Sequence, residues 1–325
     1  MEFPRRKFLH LAAGTIALPS LPGLAQAENY PTKPVRLVVQ VPAGSAPDII
    51  ARIVGEWMSE RIGQQFVIDN RPGASGNIAT EAVIRSAPDG YTLLLAMSAN
   101  AINASLYNNL RFSFERDAAH IASIARIPLA LVVNPSVPAK TIPEFIAYAN
   151  AHPGKVNIAS TGNGTPLHVA AELFNMLASI KLVHVAYRGE PSTWPDLMSG
   201  QVQSMFAVLP SALPYIRGGQ VRALGVTAAE RQAVLPDVAA VGEFLPGYEA
   251  SGWYGIAAAK DTPADIVEKL NQAINAGLID PKTRQRLTDL GCVVFHGAPA
   301  DFTRFISGET EKWTRVIRTA DIRAN

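Results

Sequence analysis

A chain of 325 residues, 48% hydrophobic and only 17% charged, has enough apolar content to bury the cores of two ordinary domains, which excludes a disordered protein. The formal charge of +2 is accounted for by Arg5, Arg6 and Lys7 set against Glu2, so the rest is near neutral and lacks the basic stripe of a nucleic-acid groove. Cys292 is the single cysteine, which excludes a disulfide framework and a thiolate metal cluster.

The N-terminus carries a basic Arg5-Arg6-Lys7, an apolar stretch over 8–18, helix breakers at Pro19 and Pro22, and Ala25-Gln26-Ala27. These are the parts of an export signal over 1–27, with cleavage near Ala27 and a destination outside the cytoplasm. The run Arg5-Arg6-Lys7-Phe8-Leu9 also resembles a twin-arginine signal, with Pro4 where Ser or Thr is usual; an ordinary secretory signal is the alternative. No later segment reaches the ~18 uninterrupted apolar residues of a membrane span.

Strands and helices then alternate, which predicts an α/β fold with mainly parallel sheets. An apolar strand over 35–41 enters the loop Pro42-Ala43-Gly44-Ser45, and a helix follows from Asp48, a residue suited to an N-cap. Its apolar positions Ile50, Ile53, Val54, Trp57, Met58 and Ile62 repeat with a period near 3.6. A strand over 65–69 leads through a small-residue loop to Asn77, and a buried strand over 91–96 ends at Met97-Ser98-Ala99-Asn100. The strand over 129–133 reads as a crossover into a second lobe. There the first pattern repeats: a strand over 156–159, the loop Ser160-Thr161-Gly162-Asn163-Gly164-Thr165-Pro166, and a helix from about Leu167. Strands over 183–187, 202–209 and 221–227 complete that lobe. A return crossover over 251–257 precedes helices over 263–278 and 281–290, a strand over 293–295 and a last helix from Pro299.

The repeated strand–loop–helix unit carries the functional signal. A helix N-terminus offers unpaired N–H groups and about half a positive charge, so a small-residue loop there suits an anion. Two such units imply two lobes closing on an anion from opposite sides. Thr161 and Thr165 offer hydroxyls, Arg188 a guanidinium at a strand end, and His168 either a cleft contact or a packing side chain. With only Arg188 as an obvious cation, backbone groups and water are the expected neutralisers of a dicarboxylate. No G-x-S-x-G elbow or metal-ligand spacing is present, so neither a catalytic residue nor a metal is assigned. Gly162-Asn163-Gly164 begins a dinucleotide fingerprint but has Leu167 in place of the third glycine, so no cofactor is expected.

Motifs in order along the chain resemble one family. They are Tyr30-Pro31-Thr32-Lys33-Pro34-Val35-Arg36, Asp48-x-x-Ala51-Arg52, Asn70-Arg71-Pro72-Gly73-Ala74-x-Gly76-Asn77 and Pro88-Asp89-Gly90-Tyr91-Thr92-Leu93. Ser160-x-Gly162-Asn163-Gly164-Thr165, His184-Val185-x-Tyr187-Arg188-Gly189, Gly252-Trp253-Tyr254-Gly255 and Lys312-Trp313 continue the series. The chain thereby resembles the Bug-type (TctC-like) solute-binding receptors of tripartite tricarboxylate transporters. The resemblance implies a type II two-lobed periplasmic binding protein, with 28–127 and 254–325 as lobe 1 and 128–253 as lobe 2. It implies a monomer that binds a small organic carboxylate (a di- or tricarboxylate or an aromatic acid) in the periplasm, with no enzymatic activity. Its partner would be the permease or a sensor-kinase ectodomain, and the alternatives are an orphan signalling adaptor or a secreted α/β enzyme. The ligand would meet Pro42, Ala43, Gly44 and Ser45 on one side, and Thr161, Gly162, Asn163, Gly164, Thr165, His168, Tyr187, Arg188 and Gly189 on the other. Asn77, Ser98 and Asn100 would lie nearby. The family loop usually reads Pro-Pro-Gly-Gly where this chain has Pro42-Ala43-Gly44-Ser45, and many members carry an acid where this chain has Ala207. The absence of that acid argues against an amino-acid ligand.

Overall fold

The computed structural model describes residues 30–324, so the expected export signal over 1–27 lies outside the described residues. In chain order, β1 (Val35–Val39), α1 (Ala46–Ile62), β2 (Phe66–Asn70), α2 (Asn77–Ile84), β3 (Thr92–Met97), α3 (Ser98–Leu106), α4 (Phe114–Asp117) and β4 (Ala118–Ile127) build the first sheet and its flanks. The chain passes through Pro128 into β5 (Leu129–Val133), α5 (Ile142–Ala151), β6 (Asn157–Ser160), α6 (Pro166–Ala178), β7 (Val183–Ala186), α7 (Trp194–Ser199), β8 (Ser204–Val208), α8 (Leu209–Arg217) and β9 (Arg222–Val226). It returns through β10 (Gly252–Ala259), α9 (Ala264–Ile279), α10 (Pro281–Asp289), β11 (Val293–Val294) and α11 (Pro299–Thr319).

Among the described residues the strands form two sheets, in the orders β11-β4-β10-β3-β1-β2 and β7-β6-β8-β5-β9. The expected parallel pairing holds where helices cross between strands: β1 with β2 and β3, and β6 with β7 and β8. The strands that carry the chain between sheets pair antiparallel, β4 and β10 in the first and β5 in the second, so both sheets are mixed. A single chain that enters and leaves each sheet by adjacent strands must reverse direction there, which gives this pattern.

Helix α1 begins at Ala46, earlier than the expected start, with Ser45 at its N-cap and Pro47 in its first turn. Proline's fixed φ suits that position, and Asp48 is thereby an interior first-turn residue rather than the cap. Helix α11 packs against α3 and β4 from the first sheet and against α6 from the second. A continuous buried apolar cluster accordingly runs from Val38 and Leu94 through Leu106, Phe174 and Trp313 to Phe206. Cys292 is buried, and that burial pushes its thiol up to about 12, so it behaves as a small apolar residue. No helix among the described residues is long and apolar enough to cross a membrane.

Candidate functional site

Each sheet has a point where the chain connections diverge. In the order β2-β1-β3 it lies at the carboxyl end of β1, and in the order β7-β6-β8 at the carboxyl end of β6. Crevices outside such switch points are where open α/β sheets bind ligands. The two small-residue loops picked out by the sequence follow these two strands. They bound one cavity of about 340 Å³, lined by Gln40, Val41, Pro42, Pro72, Gly73, Ser75, Gly76, Met97, Ala99, Asn103 and Leu106 from one side and Asn163, Gly164, Thr165 and Pro166 from the other.

The loop after β6 is held by its own hydrogen bonds. Thr165 Oγ1 donates to the Gly162 carbonyl at 2.8 Å, and the Gly164 N–H donates to His168 Nδ1 at 3.0 Å. The second bond assigns His168 the tautomer with its proton on Nε2, which faces Glu172 Oε1 at 3.7 Å. His168 is buried and stacks flat on His184, with ring centroids 3.6 Å apart. Burial, with His168 beside it, pushes the His184 imidazole down to about 4, so it is neutral at physiological pH. His184 Nε2 lies 2.5 Å from Ser160 Oγ. That is the spacing of a nucleophile and its base, but Ser160 is wholly buried and Glu172 orients His168, not His184. The cluster therefore fixes the loop's shape and presents no exposed nucleophile.

The loop after β1 is organised differently. Asp48, almost fully buried, accepts the Gly44 N–H at 2.8 Å, the Asn70 amide at 3.0 Å and a bidentate pair from Arg52. The Arg52 guanidinium foremost, aided by the Gly44 and Asn70 donors, holds its carboxyl down at about 2. The N-terminus of α1 thus already carries an anion from its own chain, and Ser45 Oγ donates to the Pro42 carbonyl. Pro42 lines the cavity; Ala43, Gly44 and Ser45 do not.

On this side the wall comes instead from residues 73–76. All four have positive φ, including the non-glycine Ala74 (46°) and Ser75 (54°). Such a run is costly and persists only where surroundings over-determine it. A buried amide network does so: Asn103 Nδ2 donates to the Ser75 carbonyl and to Asn77 Oδ1, and Ser75 Oγ meets the Tyr107 hydroxyl at 2.8 Å. Behind it, Gln40 Nε2 donates to Asn100 Oδ1 and Asn100 Nδ2 to Thr80 Oγ1, both at 2.8 Å.

Of the residues singled out from sequence, Pro42, Asn163, Gly164 and Thr165 line the cavity, while Thr161, Gly162 and His168 form the loop and its support. Asn77, Ser98 and Asn100 are buried, with Asn77 and Asn100 engaged in the amide network beneath the wall. Tyr187 donates its hydroxyl to Asp196 at 2.7 Å, Arg188 is exposed, and neither they nor Gly189 reach the lining. Ala207 is fully buried among the apolar side chains of its sheet. Sequence reasoning missed Gln40, Asn103 and Leu106 as lining residues. An amide or a leucine on an amphipathic element carries no signal of its own. Among the described residues no cluster of three His, Cys, Asp or Glu side chains is placed to hold a metal.

Residues 50–322 match the sequence family described as "Tripartite tricarboxylate transporter family receptor". The chain is 36% identical over 300 residues to a UPF0065 protein from the tcbD-tcbE intergenic region of Pseudomonas sp. strain P51, covering 92% of this chain and 89% of that protein. Among solved structures it resembles R. palustris Rpa4515 with adipate, with a TM-score of 0.77 and 32% identity over 90% of this chain and 99% of that one. MatC of Rhodopseudomonas palustris with bound malate superposes with a TM-score of 0.73 and 31% identity, covering 89% and 100% of the two chains.

Proposed function

We propose, because the chain belongs to the tripartite tricarboxylate transporter receptor family, that it is an exported receptor which captures a small organic carboxylate between two lobes and delivers it unchanged to a membrane permease. The observation that carries this reading is the cavity between the two switch-point loops. Its volume of about 340 Å³ sits at the small end of ligand pockets, the size of a short-chain acid rather than a nucleotide. Every lining residue is uncharged. A carboxylate there is met by the positive end of α6 with its backbone N–H groups, by the Ser75 hydroxyl and by ordered water. That two structural relatives hold adipate and malate supports an acid of four to six carbons.

Lobe 1 is then 28–127 with 254–325, and lobe 2 is 128–253, joined at Pro128 and at the start of β10. Asn163, Gly164 and Thr165 close on the ligand from lobe 2, against Gln40, Pro42, Ser75 and Asn103 from lobe 1. Hinge closure is the work done, and no bond is made or broken.

A thermal-shift screen of the mature chain against succinate, malate, adipate, citrate, tartrate, glutamate, aspartate, benzoate and terephthalate tests this. An acid at ~100 times its dissociation constant adds about 2.7 kcal/mol, a rise of several degrees. One short dicarboxylate is expected to give that rise. No rise with any acid would count against a carboxylate ligand.

A further inference from the structure

Leu106, the last residue of α3, lines the cleft cavity and also a neighbouring cavity of about 800 Å³ between the C-terminal ends of α3 and α11. No other residue among the described ones lines both. Leu106 is buried, and it lies so close to Gly164 of the loop after β6 that a methyl group on that glycine would overlap it. Its side chain, seated against the backbone of that loop, is the part of the wall that the two cavities have in common. Beside it, Ser75 of the cleft wall and Tyr107 of the second cavity join hydroxyls at 2.8 Å. Ser105 Oγ is hydrogen-bonded to Thr314 Oγ1, which ties the turn carrying Leu106 to α11.

The two cavities differ in character. The residues lining the cleft are uncharged, whereas the second cavity is lined by Asn108, Asn109 and Arg318, the last exposed in the final turn of α11. Arg323 also lines it but is paired with Asp321 at 3.1 Å, so Arg318 sets the sign of its charge. A diacid held by one carboxylate at the start of α6 extends its chain through the cleft. If the chain outgrows the cleft at Leu106, its second carboxylate is stranded against an apolar side chain, which is costly. Without that side chain the same carboxylate enters a cavity that offers a guanidinium and amides.

We propose that Leu106 is the length gauge of the receptor: it ends the cleft for short acids and excludes longer α,ω-dicarboxylates, with the Ser75–Tyr107 hydrogen bond as the second part of the barrier. This deepens the receptor reading and rests on it.

The test is calorimetric titration of the mature chain with the unbranched diacids from succinate to azelate. In the unaltered chain, affinity should hold through the short members and fall about tenfold or more by suberate. Leu106→Ala should move the optimum to longer acids, by about fourfold in relative affinity for each methylene newly housed, so that suberate gains about tenfold or more over succinate. Met97→Ala enlarges the cleft at a residue that does not line the second cavity, and should not give that gain. Circular dichroism checks the fold of each variant; should Leu106→Ala fail to fold, Leu106→Val, with its shorter side chain, decides by the same shift at pimelate. A length optimum unmoved by the Leu106 variants, or moved equally by Met97→Ala, while the unaltered chain still binds a short diacid, would overturn the gauge and leave the receptor reading standing. No saturable binding of any diacid, by the unaltered chain or by the variants, would overturn the gauge together with the short-dicarboxylate reading on which it rests.

Discussion

Replacing Gly164 with alanine is expected to weaken carboxylate binding by roughly 30-fold or more while leaving the far-ultraviolet circular dichroism unchanged. Gly164 stands at φ +69°, where an L residue is strained by about 1–2 kcal/mol. The added Cβ would also press into Leu106 of α3, only 3.1 Å from its Cγ and closer still to both methyl groups. Leu106 is buried, so it has little room to retreat, and overpacking of that kind costs about 1–3 kcal/mol. The second cost falls on the arrangement in which the loop after β6 meets α3, which is the arrangement that encloses the cavity. Two kcal/mol is about 30-fold in affinity. Leu106→Ala in the same chain should recover part of the loss, because it removes the side chain the new methyl group meets. An unchanged dissociation constant by calorimetry would mean that the ligand does not need this contact.

Glu309→Ala is expected to destabilise the protein by about 3–5 kcal/mol, with a fall of roughly 6 °C or more in melting temperature. Glu309 is a buried carboxylate on α11 that accepts Trp253 Nε1 at 3.1 Å and Trp313 Nε1 at 3.0 Å through one oxygen, and pairs with Lys312 through the other. Both indoles are almost wholly buried, so truncation leaves two N–H groups in the core with no acceptor. Glu309→Gln keeps an acceptor for the indoles and should cost less. Equal melting temperatures for the two variants would contradict the account. The position matters beyond stability: the same helix carries contacts to both sheets, so a frayed α11 loosens the relation between them.

The alternation of strands and helices, and the two loops facing the cavity, were legible because they depend on local chemistry. Small residues after an apolar strand and before an amphipathic run need no distant partner to be recognised. Which N–H groups stay available was not legible. The Gly44 amide reads as an anion donor in sequence, yet it is taken by Asp48, whose carboxylate is fixed in turn by Asn70 from β2. His168 presents a similar case: in sequence it reads equally as a cleft contact or a packing side chain, and only Gly164 and His184, which hold it beneath the loop, decide for packing. The antiparallel crossovers depend on where β4, β5 and β10 sit in their sheets, which apolar runs of this kind do not encode.

The measurement that bears most directly on the receptor reading is calorimetric titration of the mature chain with the acid that stabilises it most, followed by analysis of the recovered ligand. The account predicts saturable one-to-one binding, abolished or strongly weakened by Gly164→Ala, and an acid recovered chemically unchanged after prolonged incubation. Conversion of the acid to a product, or the absence of saturable binding by any acid of the panel, would contradict it.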